Sequence, residues 1–290
     1  MIDKRSIDED LARALVAGQF PEWRDLPVRT VERQGWDNRT FRLGDELSVR
    51  LPSAEGYVAG VAKEDRWLPV LAGHLDMPVP APVAVGKPAE GYPFPWSVRR
   101  WLPGATVLDA APERTALARD VGAFLVALRE VPADGGPVAG RHSFFRGSHP
   151  SAYADEVQNA LAVLDVDSGA CREIWHAAMT SVWTERPVWF HGDVAVGNLL
   201  ATGGRLSAVI DFGTCGVGDP ACDLVMAWTH FEGGERAVFR EAAGLDDDTW
   251  RRARGWALWK SLAVMAFDAD AGLRADHTRV LTQVLADPVI

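Results

Sequence analysis

At 290 residues, with 48% hydrophobic and 24% charged content, the chain is long enough for one large or two modest domains with a full apolar core, which excludes extended disorder. A formal net charge of −10 excludes a general nucleic-acid-binding surface; it fits either acidity for solubility or attraction of a cationic small molecule to an acidic cleft. The start lacks the basic and apolar pattern of a secretory leader, no run reaches the roughly 18 apolar residues of a membrane span, and Cys171, Cys215 and Cys222 lack metal-ligand spacing, so a cytoplasmic protein without a membrane partner is expected.

Ile7, Leu11, Ala14 and Leu15 recur at three- and four-residue steps and predict a helix over residues 7–19, ended by Pro21. Strand signals follow over 28–34, 40–43 and 47–51, with Gly44-Asp45 turning the second into the third. Between the first two, Gly35-Trp36-Asp37-Asn38 reads either as a plain hairpin turn or as a loop whose backbone amides meet anionic oxygens. On the third strand Leu47, Val49 and Leu51 face one way, Ser48 and Arg50 the other. A helix over 57–71 places Glu64 on an apolar stripe with Val61, Leu68 and Leu71, and Pro69 is expected to kink it near its end. A carboxylate there is either paired, Arg50 being the natural partner, or solvated at the edge of the stripe.

Residues 77–95 are proline-rich and predict an edge strand and turn; residues 96–104 read as the last strand of the sheet running into a connecting segment. Helical patterning then covers 112–131, 151–164, 170–184, 220–231, 236–243 and several segments of 249–285, with an irregular connection over 132–150. Asp219, directly before Pro220, is either a helix cap or a brace for a neighbouring loop, and Asp223 one turn later shares that choice.

The chemistry is concentrated in His191-Gly192-Asp193-Val194-Ala195-Val196-Gly197-Asn198 and, further on, Asp211-Phe212-Gly213. A strand over 188–190 leads into His191, so Asp193 lies on the loop that follows. Residues 199–201 and 206–210 look like strands joined through Thr202-Gly203-Gly204-Arg205, the two glycines supplying the positive φ of a tight hairpin turn. That turn sets Ala201 opposite Leu206 and Asn198 opposite Val209, with Asp211 two residues beyond. With a strand rise of ~3.3 Å and a separation of ~4.8 Å, the backbones of Asn198 and Asp211 would lie roughly 8 Å apart, a span two oxygen ligands can bridge with magnesium between them. Asp193 can accept the proton of an attacking hydroxyl, while His191 suits an orienting role better than that of the base.

The segments HGDVAVGNLL, IDFG and GDPACDL resemble the aminoglycoside phosphotransferase and choline kinase-like branch of the protein kinase fold. The resemblance spans nearly the whole chain, its specific residues falling within 188–223. It implies an α+β, two-lobed fold: a small antiparallel-sheet lobe covering the nucleotide over 1–98, a hinge over 99–104, and a larger, mostly helical lobe over 105–290. It further implies Asp193 as catalytic base with His191 beside it, Asn198 and Asp211 as Mg2+ ligands, and ATP or GTP as phosphoryl donor. Gly35 and Asn38 then belong to the phosphate-covering loop, Arg50 and Glu64 to the ion pair between strand and helix, and the backbone of Arg99, Arg100, Trp101 and Leu102 to the purine edge. Arg50 departs from the general kinase pattern, which has lysine there; arginine keeps the charge but presents a bidentate fork.

The expected reaction is transfer of the γ-phosphoryl group to a hydroxyl of a small, cationic acceptor, foremost an aminoglycoside-type antibiotic. A macrolide, a choline-like alcohol or a metabolic sugar are the alternative acceptors, and a non-catalytic nucleotide- or antibiotic-binding relative is the alternative outside the enzymes. Glu232, Glu235, Asp246, Asp247, Asp248, Asp268 and Asp270 are either carboxylates of the acceptor site or solvated faces and caps; Trp228, Trp250, Trp256 and Trp259 are either core or an aromatic wall.

Overall fold

The computed structural model describes residues 4–35 and 37–287, so Trp36 of the expected loop lies outside the described residues. The chain divides into two units, Met1–Gly104 with Ser207–Gly213, and Ala105–Leu206 with Thr214–Ile290.

In the first unit, α1 (Glu9–Gln19) starts where the Asp8 carboxylate accepts from the Leu11 N–H at 2.9 Å, an N-cap. It buries Ala12, Leu15 and Val16 and turns Ala14 outward, so its inner face is rotated from the expected stripe. Strands β1 (Val28–Thr30), β2 (Asn38–Leu43) and β3 (Leu47–Pro52) precede α2 (Val58–Ala72); β4 (Pro82–Gly86) and β5 (Trp96–Arg100) complete an antiparallel sheet in the order β1-β2-β3-β5-β4. β1 stops at Thr30, short of the run to Gln34, because the Gln34 side chain takes over the ladder: its amide donates to the Thr40 carbonyl at 2.8 Å and its oxygen accepts the Thr40 N–H at 2.9 Å. One face of the sheet, with Phe41, Leu43, Val49, Leu51, Trp96 and Val98, packs on Ile7, Leu15 and Val16. The alternation places Ser48, Arg50, Ser97 and Arg99 on the other face, where Arg50 is opposite Ser97 and Ser48 opposite Arg99. α2 buries Val61, Glu64, Leu68 and Leu71, and it continues to Ala72, three residues past Pro69.

The second unit opens with β6 (Ala105–Thr106), α3 (Val107–Ala110) and α4 (Arg114–Glu130), followed by α5 (Ala154–Val163) and α6 (Ser168–Thr180). β7 (Val188–Phe190) leads into the loop from His191 to Asn198, after which β8 (Leu199–Thr202) turns through Gly203 and Gly204 into β9 (Arg205–Val209). Both glycines have positive φ, +59° and +78°, as a two-residue hairpin turn demands. β10 (Gly216–Gly218) pairs antiparallel with β7. The expected helix over 220–231 is instead a 3-10 turn, Pro220–Leu224, and a short α7 (Met226–Thr229). The tighter winding accompanies two acidic side chains turned to separate buried partners, described below. α8 (Gly233–Ala243), α9 (Asp247–Phe267) and α10 (Ala271–Ala286) close the chain.

The carboxylates of this region are largely helix starts: Asp246 accepts from the Thr249 N–H, Asp270 from those of Gly272 and Leu273, and Glu232 and Glu235 form a capping box on α8. Trp228, Trp250, Trp256 and Trp259 are all buried. So are Cys171, Cys215 and Cys222, none of them in a disulfide. Among the described residues no helix is long and apolar enough to cross a membrane.

Candidate active site

His191 is fully buried at the end of β7, and the chain turns sharply after it. Gly192 makes that turn possible: its φ is +85°, and a Cβ there would meet the Thr214 hydroxyl oxygen at 2.9 Å. The loop is pinned from beneath by Asp223, whose two carboxylate oxygens accept the backbone N–H groups of His191 at 2.8 Å and Gly192 at 2.6 Å. Burial raises the pKa of Asp223, opposed by the His191 ring and by these two amides. The Thr214 hydroxyl donates to the His191 carbonyl at 2.9 Å, and the Asp193 N–H donates to His191 Nδ1 at 3.2 Å. Through Nδ1 the imidazole serves to hold the loop.

Asp193 is exposed to solvent, as is Gly197 further along the same loop. The Asn198 Nδ2 group donates to the Asp193 carbonyl and to its Oδ2, both at 2.9 Å. The amide is thereby oriented, its nitrogen turned to Asp193.

Asp219 does something separate from Asp223. It caps the 3-10 turn by accepting from the Ala221 N–H at 3.0 Å, and it takes the Arg252 guanidinium at 2.7 Å. Arg252 and Asp219 are 1% and 6% exposed, so this pair ties α9 to the turn through a desolvated ion pair.

In the first unit the charged face of the sheet holds a chain of alternating charges. Arg50 is the expected partner of Glu64, but at 3.4 Å it is the weaker of two: Arg99 engages both Glu64 oxygens, at 3.1 and 2.9 Å. Burial works to raise the Glu64 pKa, and Arg99 and then Arg50 overcome it, holding the carboxylate down at about 2. Arg50 reaches on to Asp211 Oδ1, also at 3.4 Å. Asp211 has φ +66°, a left-handed conformation that is strained for a non-glycine residue and frequent at functional sites. The neighbouring Lys63 ammonium donates to the Gly213 carbonyl at 2.6 Å, so β3, through Arg50, and α2, through Lys63, each hold the Asp-Phe-Gly segment at one place.

The Arg99 side chain is thus a salt-bridge partner that sequence reasoning assigned to the purine edge through its backbone. That backbone lies inside the sheet, paired with Ser48 and Pro82, and the N–H of Trp101 donates to the Glu46 carbonyl at 2.7 Å. Arg100 is exposed and opposite Leu47, Leu102 is half-buried, and the Trp101 ring lies 4.1 Å beneath the Arg42 guanidinium. Gly35 is exposed and Asn38 begins β2 opposite Pro52, their loop tied to β3 by Ser53, whose N–H and hydroxyl both donate to the Asp37 carbonyl.

Residues 29–256 match the model of the phosphotransferase enzyme family. The chain belongs to that family. Among solved structures, the phosphotransferase is similar to the GDP complex of wild-type aminoglycoside 2'-phosphotransferase-IIIa, with a TM-score of 0.74 and 18% identity over 96% of this chain and 99% of that one. It is also similar to the apoenzyme of macrolide 2'-phosphotransferase MphH from Brachybacterium faecium, with a TM-score of 0.66 and 23% identity over 94% and 98% of the two chains. A third likeness is to the ternary complex of streptomycin, ATP and APH(2")-IIa, with a TM-score of 0.63 and 16% identity over 97% of each chain. The fold is accordingly the α+β, protein kinase-like one.

Two positioning residues of the phosphotransferase were weakly signalled in its sequence. Strand parity puts Arg99 on the face of Arg50, and that parity was the available sign of a side-chain role. For Asp223 the only sign was an acidic residue at the start of a turn, which caps share.

Proposed function

We propose that this phosphotransferase moves the γ-phosphoryl group of ATP or GTP to a hydroxyl of an antibiotic-type small molecule, with Asp193 as base and Asn198 and Asp211 as ligands of Mg2+. The observation that carries the reading is the pinned loop, in which a solvent-facing carboxylate is held by Asp223 below and Asn198 beside it. Asp193 Oδ2 is engaged by Asn198, so Oδ1 takes the proton of the attacking hydroxyl as its oxygen bonds to phosphorus and the bond to the β,γ-bridging oxygen breaks. Nucleoside diphosphate leaves, and the proton passes from Asp193 to solvent.

The donor set suits magnesium. Asn198 Oδ1 and the Asp211 carboxylate are hard oxygens, and nucleotide phosphates and water would complete the octahedron. Bound there, magnesium would neutralise charge on the β- and γ-phosphates. Arg50 would steady Asp211, while Gly35, Asn38 and the segment from Arg99 to Leu102 would contact the nucleotide from the lobe over 1–98 and the hinge over 99–104, the acceptor being held by the lobe over 105–290. A cytoplasmic setting supplies both nucleotide and metal.

The test is a panel of kanamycin and erythromycin with ATP and GTP, read by mass spectrometry for the gain of one phosphate. Asp193→Ala should abolish that gain and leave calorimetric nucleotide binding within about twofold, as expected of a group that acts only in the transition state. Undiminished turnover would remove Asp193 as the base.

A further inference from the structure

Asp211 holds a backbone conformation that its own Cβ disfavours, φ +66°, and strain of this kind persists only where the surroundings over-determine it. Three contacts within the first unit do so. Ahead of it, the Val209 N–H donates to the Pro78 carbonyl at 3.1 Å. Directly after it, Phe212 is fully buried and anchors the chain by its ring. One residue further, the Lys63 ammonium donates to the Gly213 carbonyl at 2.6 Å, short in the way of charge-assisted bonds.

The Lys63 contact acts where the chain is otherwise least restrained. Gly213 lacks the side chain that would limit its φ and ψ, so without a tether it can take up whatever rotation lets Asp211 relax. A Cβ on Gly213 would stand 3.6 Å from Asp211 Oδ1 and 4.0 Å from Asp37 Oδ2, so both carboxylates lie over this residue. Arg50 does not replace the tether. Its guanidinium stands 3.4 Å from Glu64 and 3.4 Å from Asp211, long for either; burial works against its charge, and Glu64, Asp211 and then Asp37 share in sustaining it. A cation divided in this way neutralises the Asp211 carboxylate without fixing the backbone beneath it.

Lys63 can fix that backbone because its own helix is anchored one residue away. Glu64, 2% exposed, accepts from both terminal nitrogens of Arg99 at 3.1 and 2.9 Å, and Val61, Leu68 and Leu71 are buried on the same stripe of α2. Position is therefore passed from β5 through Arg99 and Glu64 to Lys63, and from Lys63 to the Gly213 carbonyl.

Resting on the magnesium reading above, we infer that Lys63 is a positioning residue of the phosphotransfer reaction, its hold on Gly213 keeping Asp211 in the left-handed conformation that presents the carboxylate to the cation. Released, Asp211 returns to an ordinary negative φ, and its Cα–Cβ bond carries the carboxylate to a new direction. The ammonium, bonded to a backbone carbonyl, acts on the geometry of the metal ligand and not on the charge of the phosphates.

Lys63→Met keeps the stem and removes the donor. Calorimetry of the intact chain with ATP or GTP, whichever binds the wild type more tightly, is run in excess Mg2+ and in EDTA. Affinity in EDTA should stay within about twofold of the wild type, whereas the gain that Mg2+ brings should fall by about tenfold or more, the scale on which metal sites respond to losing a partner that orients a ligand. Amide hydrogen exchange over Ser207–Gly213, with no nucleotide present, should quicken by at least about fivefold, as a segment released from a tether does. Lys63→Arg, which can still donate to the carbonyl, should recover most of the Mg2+ gain; a merely structural role would weaken binding equally with and without metal. A Mg2+ gain undiminished in Lys63→Met, an equal loss in both conditions, unchanged exchange, or Lys63→Arg no better than Lys63→Met would each overturn the inference. The two readings separate: a wild type whose nucleotide affinity ignores Mg2+ sinks the magnesium reading and the role of Lys63 with it, whereas a wild-type gain that Lys63→Met keeps in full sinks the role of Lys63 alone.

Discussion

Replacing Arg99 with methionine keeps most of the side-chain stem and removes the better of the two cations at Glu64. Arg99 and Glu64 are 1% and 2% exposed, and Arg50 at 3.4 Å is what remains. In the native protein burial raises the Glu64 pKa and Arg99 and Arg50 more than reverse it, to about 2 from an ordinary 4.5, a difference worth about 3 kcal/mol at ~1.4 kcal/mol per unit. Because the folded-state value is the depressed one, this stabilisation is present above pH ~4.5, where the unfolded carboxylate is ionised, and is lost as pH falls toward ~2. In Arg99→Met burial dominates, and the variant should lose about 3–5 kcal/mol at pH 7, the cost of leaving a buried charge poorly paired. Near pH 4 the penalty should shrink by at least ~1 kcal/mol, since Glu64 in the variant can take up a proton instead of staying charged. Urea unfolding followed by tryptophan fluorescence at the two pH values measures both quantities. Glu64→Gln added to Arg99→Met should recover at least about 1 kcal/mol at pH 7, because the charge is gone and the amide is cheaper to bury. A penalty under ~1 kcal/mol at pH 7, or one equal at both pH values, would show that Arg50 alone neutralises Glu64 and refute the reasoning.

Gly192→Ala forces a side chain onto a φ of +85° and against the Thr214 hydroxyl, and should cost about 1–3 kcal/mol in thermal denaturation, with turnover falling alongside; an unchanged melting temperature would mean the loop relaxes freely. Asp223→Asn leaves one acceptor oxygen for two amides now held at 2.8 and 2.6 Å. Steady-state kinetics should show kcat lowered about 10- to 100-fold with nucleotide KM nearly unchanged, the signature of a positioning residue, and a rise in KM alone would contradict it.

Several features were legible because the signals are local. Gly203-Gly204 demands a two-residue turn wherever it falls between strands, and the positive φ values follow from the missing Cβ. The spacing of Val61, Glu64, Leu68 and Leu71 buried all four because helical period is a property of a few adjacent turns. The residues from His191 to Asn198 were visible as one short motif, whereas the Asp193–Asn198 contact within it came from the structure.

What the tertiary structure decided are the pairings across elements. Glu64 chose Arg99 over Arg50 through the register of β3 against β5, and Asp223 found the amides of His191 and Gly192 from 32 and 31 residues away. The run over 220–231 became a 3-10 turn and a short helix although its own propensity favours one helix, with Asp219 and Asp223 serving different partners. Local period and turn chemistry specify which face a residue presents; which distant group meets that face is set by packing, where the desolvation of each charge makes the choice of partner energetically decisive.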